Sequence, residues 1–522
     1  MEIYYNAKVY MNDGSGSSAE ALAVEDGVIK AVGSSEEMLA LASPTDKAND
    51  LEGALIMPGF VDSHLHFLEY AGEKRLVDLT GSKDKEDMLS ILRERLPEAL
   101  DKGVPLKGSG FNQNFWEDPT MPLRHDLDRL STDIPIAITR TCHHVTVCNT
   151  PALRLCGLEQ SNPDGILQED DQYALLNALP RPTVDDIKEL ILSACYDVAS
   201  KGITEIQTDD LTLIPIEPYG KTIIDAFRQL SEEGKLPIRV YEQCNLPSME
   251  RLKAFLNDGY MTGQSFGNFT IGPLKLLGDG ALGARSAALM EPYQDDPENT
   301  GILNFRDKEL SDLVLKAHKA GMQIAIHGIG DRCIQQILDS FAKALEEDPR
   351  EDHRHGIVHC QITRPEQLRA MQDMNIMAYI QPVFLKADQY IVEDRIGPEL
   401  TSSSYDWRTM EDMGIRLAGG SDCPVEPFDI LPNMYYALTC REPGAEHAWH
   451  PEKSLTLEET IRLFTSDGAY ASFSEDRRGK ILPGFDADFV VLDRDITTLP
   501  AEALLEAQVL MTFVGGKNVY SI

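Results

Sequence analysis

The sequence has no run of about eighteen apolar residues, and its start, MEIYYNAKVYMNDG, has neither a basic stretch nor a continuous apolar one. No membrane span and no export signal are therefore expected. Cysteine never occurs as a C-x-x-C pair. The nine residues (Cys142, Cys148, Cys156, Cys195, Cys244, Cys333, Cys360, Cys423, Cys440) are odd in number, which argues against a zinc ribbon and a disulfide framework. Reduced thiols in a cytoplasmic protein are the expectation. Basic residues are scarce: 48 Lys and Arg stand against 85 Asp and Glu, a formal charge of -37. A field of that sign repels nucleic acid and anionic membrane surfaces, so neither is expected as a partner. Low-complexity and collagenous segments are missing too, and 42% hydrophobic with 25% charged residues is the balance of an ordered globular protein.

At 522 residues the chain exceeds one ordinary core, so a large barrel with additions, or two to three domains, is expected. Residues 1–56 read as short alternating strands with turns at Asn12-Asp13-Gly14 and Asp26-Gly27, and residues 478–522 repeat that style. The two ends are expected to form one small β-sandwich. Between them, over 57–477, eight strand-like runs alternate with helical stretches: GFVDSHLHF, GITEIQTDD, LPIRVYEQC, IGPLKLLGDG, MQIAIHGIG, HGIVHCQ, NIMAYIQPV and GIRLAGGSD. Eight is the number that closes a TIM-like (β/α)8 barrel, so an α/β fold of that class is expected. The stretch 68–182 after the first strand reads as an insertion placed to serve as a lid.

His64 and His66, one residue apart on a strand-like run, point to the same side and can share a metal ion. His327 and His359 end two later runs at the same relative place, and Asp422 ends the last. Its carboxylate can bind the metal, accept a proton from its water, or simply cap the next segment. Lys275 lies among apolar neighbours, where a neutral amine can add carbon dioxide to form a bridging carbamate; pairing with Asp279 as a plain lysine is the other reading. His125, His318, His353, His447 and His450 read as surface residues and His355 as structural, while strand alternation turns Cys360 and Cys423 away from the metal.

The order PGFVDSHLHF, KLLGDGALGARSAAL, AIHGIGD, RHGIVHCQ, GGSDCPVEP and LPGFDADFVVLD resembles the amidohydrolase superfamily, and within it amidohydrolase family 3, the branch of the N-substituted formamide deformylases. The inserted GSGFNQNFW and PDGILQED agree, as do MEPYQDDPENTGIL and TFVGGKNVY, so the resemblance spans nearly the whole chain. It implies a metal-dependent hydrolase barrel with His64, His66, His327 and His359 as ligands. It also implies Lys275 as the residue for a carbamate bridge and Asp422 as general base. The branch's Arg-x-x-Gly-His reads Arg140-Thr141-Cys142-His143-His144 here, with a histidine replacing the glycine beside the candidate substrate contact His144.

A divalent metal is expected, one or two per chain; imidazole and carboxylate ligands suit zinc, with iron, manganese and cobalt also open. Asp422 would take the water proton while His144 helps hold the oxyanion. Phe111, Trp116 and His143, with Phe115, would line the pocket for a small-molecule substrate, unless the aromatic residues form the lid's own core. Amide hydrolysis on an N-acyl or N-formyl amine is the leading expectation. A deaminase or lactonase on the same centre comes second, and a non-catalytic metal-binding scaffold last. A homodimer is an admissible assembly.

Overall fold

The eight apolar runs become eight parallel strands: β1 (Phe60–Leu65), β2 (Ile203–Thr208), β3 (Arg239–Asn245), β4 (Phe269–Leu277), β5 (Ile324–Gly328), β6 (Gly356–His359), β7 (Met377–Ile380) and β8 (Leu417–Gly419). The structure is a computed structural model and describes residues 1–522 apart from His143, Glu169, Pro215 and Ile216. Neighbours in the sheet follow chain order, as in a (β/α)8 barrel, and a short strand, Ser265–Phe266, adds to β4 in antiparallel sense. The strands are apolar almost throughout because both of their faces are covered. The helix after β5, Asp331–Glu347, shows how: it buries Ile334, Ile337, Leu338 and Phe341, residues three and four apart on one face.

Hydrogen bonds just beyond β8 return the sheet to β1. Asp422 N–H donates to His64 O at 2.8 Å and His66 N–H to Cys423 O at 2.7 Å. The buried Asp62 carboxylate accepts from Ser421 N–H at 3.0 Å and from its hydroxyl at 2.5 Å. Gly420 permits this approach, since a Cβ there would stand 2.7 Å from His64 N.

The chain forms two compact units, residues 1–69 with 184–522, and residues 70–183. The first contains the barrel and two further sheets. One is built from Val28–Gly33, Ala21–Glu25, Glu2–Tyr5 and Lys47–Asp50; the other runs Lys517–Ser521, Val509–Val514, Phe489–Leu492, Leu55–Pro58, Lys8–Tyr10 and Ser18–Ala19, drawing on both ends of the chain. Tyr4, Val9, Ile29, Ile56, Phe489 and Phe513 form one core with them. Arg239, opening β3, is paired with Asp488 at 2.5 Å and ties this region to the barrel. The second unit holds a five-stranded sheet of Ile166–Gln168, Val145–Cys148, Ile136–Arg140, Leu106–Phe111 and Val77–Asp78. Among the described residues no helix is long and apolar enough to cross a membrane.

Two histidines expected at the surface are interior. His318 and His353 are buried with His355, just before β6. Ile324 N–H donates to His355 Nδ1 at 3.1 Å, which leaves the proton on Nε2, 2.9 Å from His318 Nδ1. His318 Nε2 in turn faces Asp348 O at 2.6 Å. His355 N–H donates to His353 Nδ1 at 2.9 Å, and Arg350 Nη2 lies 3.3 Å from His318 Nδ1. The three rings are thus held by directed hydrogen bonds beside a fixed cation. Burial first, then His353 and Arg350, push His355 well below the ordinary histidine value.

The unfolded chain takes up a proton near pH 6.5, where folded His355 does not, so its stabilising contribution is complete above about pH 6.5 and is lost as pH falls below it. Each pH unit below that point is expected to cost up to about 1.4 kcal/mol from this residue. Urea melts of the protein and of His355→Gln at about pH 7.5 and about pH 5.5 check it, since the variant should show the shallower acid slope. Equal slopes would remove His355 from the acid response.

Candidate metal centre

His64, in β1, and His66, just past its end, leave the strand on the same side, with ring centroids 5.2 Å apart. Asp422 follows β8 with a φ of 61°, in the left-handed region that non-glycine residues rarely adopt. Its Oδ1 lies 3.2 Å from His64 Nε2 and 3.2 Å from His66 Nε2. The three ligand atoms are within 4.8 Å of one another.

The protons of these rings are fixed elsewhere. His64 Nδ1 is 2.7 Å from Gln243 Oε1, an atom that only accepts, so Nδ1 carries the hydrogen and Nε2 offers a lone pair inward. His66 Nδ1 faces Asp209 O at 3.3 Å with the same result. Asp422 Oδ1 is buried and faces the Nε2 atoms of these two rings. Three converging acceptors repel one another unless a cation lies among them, and two imidazoles with a carboxylate suit a divalent metal.

Two further imidazoles extend the cluster. The His359 ring is 5.5 Å from that of His64 and 4.4 Å from that of His327. His359 Nδ1 faces Gln381 Oε1 at 2.8 Å. His327 Nε2 faces Gly280 O at 3.1 Å and lies 3.3 Å from Asp279 Oδ1. Lys275 is wholly buried, with Nζ 3.2 Å from His64 Nε2 and 3.3 Å from Asp209 Oδ2. The expected alternative partner of Lys275, Asp279, is engaged elsewhere: it accepts from Ala288, Ile329 and Gly330 backbone N–H groups. The reason is strand geometry, since Asp279 lies past the end of β4 while Asp209 follows β2.

Burial and the Lys275 ammonium push His64 down to about 4. Burial also lowers His359, helped by His327. Burial opposes charge on His66 as well, but the hydrogen bond that the Asp422 carboxylate accepts from it, with the charge of Asp209, outweighs burial and raises His66 to about 9. A bound cation competes with that proton for Nε2. Asp422 stays ionised: burial favours its acid form, yet His359, His64 and His66 hold it well below the usual carboxylate range.

The six residues expected at the metal, His64, His66, Lys275, His327, His359 and Asp422, thus share one end of the barrel. The residues expected at the substrate belong to the second unit. There Phe111 and Trp116 are buried in that unit's own core with Leu89, Leu92 and Ile138, and Trp116 Nε1–H donates to Ser82 O at 2.8 Å, so they follow the reading as lid core rather than pocket wall. Phe115 is 86% exposed and His144 is exposed, while His143 lies outside the described residues. Sequence reasoning missed Asp209, Gln243 and Gln381. Asp209 and Gln381 stand just past the C-terminal end of a barrel strand, the same positional signal that marked the histidines, while Gln243 lies inside β3, two residues before its end.

The sequence model of an amidohydrolase family matches residues 47–520. The chain is 33% identical to YtcJ of Bacillus subtilis (strain 168), an amidohydrolase by name, over 99% of each chain. It is 26% identical to N-substituted formamide deformylase of Arthrobacter pascens, over 98% of this chain and 96% of that one. An uncharacterised metal-dependent hydrolase from Pyrococcus furiosus superposes with a TM-score of 0.81 at 27% identity, covering 95% of this chain and 99% of that chain.

Proposed function

The chain belongs to the amidohydrolase family, and from that premise we propose that it hydrolyses the C–N bond of a small-molecule amide, of the N-acyl or N-formyl amine type. The observation that carries this reading is the convergence of His64 Nε2, His66 Nε2 and Asp422 Oδ1, three lone-pair atoms with their protons fixed elsewhere, at the barrel end where catalytic groups gather. The amide class is supported by the likeness to the deformylase. His64, His66 and Asp422 would hold a divalent cation, zinc by ligand type, which would supply the Lewis acidity for water activation near neutral pH and for polarising a carbonyl.

The chain's own groups do the rest. Asp422, ionised and buried, accepts the proton of the attacking water and returns it to the leaving amine. His64, His66, His359 and His327 are fixed in orientation through their outer ring nitrogens. Lys275 Nζ, beside His64, is placed to add carbon dioxide, and a carbamate there would bring in the oxygen ligands that a second ion needs.

A panel of N-formyl and N-acyl amines, with a lactone and a cyclic amidine beside them, tests the reading by product. An amine with a carboxylate is expected. Ammonia or a hydroxy acid as the sole product would move the activity to deamination or lactone hydrolysis, and no turnover on any amide would sink the proposal.

A further inference from the structure

Two of the four imidazoles are held by side-chain amides. Gln243, in β3, presents Oε1 to His64 Nδ1 at 2.7 Å, and Gln381, just past β7, presents Oε1 to His359 Nδ1 at 2.8 Å. Both glutamines are buried, at 0% and 4% exposure, so no water competes for these bonds. Their other ends are fixed as well: Gln243 Nε2–H donates to Ser63 O at 3.0 Å, and Gln381 Nε2–H to Tyr379 O at 3.3 Å. With the amide nitrogen donating to a backbone carbonyl, the oxygen must face the ring, and the ring must place its hydrogen on Nδ1.

We propose that Gln243 and Gln381 are positioning residues of the metal centre, which commit His64 and His359 to the Nδ1–H tautomer and leave the Nε2 lone pair of each ring for the metal. The proposal rests on the metal-dependent reading above. A neutral amide withdraws less proton density from the ring than a carboxylate in the same place would, so it orients the ligand without strengthening it. A ligand that is merely oriented leaves the metal the stronger Lewis acid, which suits an ion required to activate water.

The test measures metal affinity by chelator competition, together with the visible spectrum of the cobalt-substituted protein, so it needs no substrate. Gln243→Leu and Gln381→Leu keep side-chain bulk and remove the acceptor. Each is expected to bind zinc about 10- to 100-fold more weakly and to alter the cobalt spectrum. Gln243→Glu keeps the acceptor but loses the donor to Ser63 O, and it is expected to bind zinc at least as tightly as the parent. If Gln243 only braced the backbone at Ser63, Gln243→Glu would be as weak as Gln243→Leu, and the proposal would be overturned. Parental affinity in both leucine variants would overturn it too. A leucine variant that fails to fold, seen in far-UV circular dichroism, leaves the glutamate variant to decide. A parent protein that binds no metal sinks the functional reading instead, so the two failures are told apart.

Discussion

Dialysis against a strong chelator is expected to abolish turnover, a loss on the order of a million-fold or more, and added zinc is expected to restore it. The reason lies in what remains without the ion. His64 and His359, pinned by Gln243 and Gln381 and pushed below the ordinary histidine range, are weak bases; His66 without the ion holds its own proton; and Asp422, held far below the usual carboxylate range, is too weak a base to ionise water unaided. Removal should also lower the melting temperature, because a ligand at about 100 times its Kd stabilises the folded state by about 2.7 kcal/mol. Elemental analysis before and after dialysis, with activity and melting followed in parallel, checks both effects. Undiminished turnover in protein shown to be metal-free would end the hydrolytic metal reading. Reconstitution with zinc, manganese, iron and cobalt in turn identifies the ion that supports the fastest reaction.

Asp422→Asn is expected to keep the metal and lose about two to four orders of magnitude in kcat, with little change in KM. An asparagine preserves the shape and still offers one oxygen, and His64 with His66 remains to hold the ion. It cannot take up a proton. Because Asp422 sits at a φ of 61° and its backbone N–H bonds to His64 O, the isosteric replacement is the one that leaves the seam undisturbed. Metal analysis beside steady-state kinetics separates the outcomes. Full activity would move proton transfer to another residue, and loss of the ion would make Asp422 chiefly a ligand.

Much of the barrel was legible because each strand is an apolar run, and several of those runs end on a residue whose chemistry has no place in a core. His64 and His66 show what alternation reveals: two rings on one side of a strand. His353 and His355 carry the same spacing and mean something else. They stand before β6 rather than at the end of a strand, and there the rings pack against His318 and Arg350 instead of a metal. Position along the strand decides between the two, and a sequence marks that position only as well as it marks strand ends.

Cross-strand partners were the harder part. Lys275 has Asp279 four residues away in sequence but meets Asp209 from another strand, because neighbours in a sheet are set by register and not by proximity in the chain. Gln243 and Gln381 were passed over for a related reason: a glutamine acquires meaning only when the ring it faces is known. Phe111 and Trp116 suggested a substrate wall by their chemistry, while a small sheet of its own required them as core.

The seam between β1 and β8 joins parts of the chain that lie far apart, Asp62 and Ser421 being 359 positions apart in sequence, and it carries His64 and Asp422 on its two sides. Ring closure and assembly of the ligand set are therefore one event. During synthesis the growing chain displays His64 and His66 early, yet it cannot offer the full three-atom grip until the eighth strand has left the ribosome and docked on the first. An incomplete or truncated barrel would hold metal poorly, so loading of the ion reports that the whole barrel has closed.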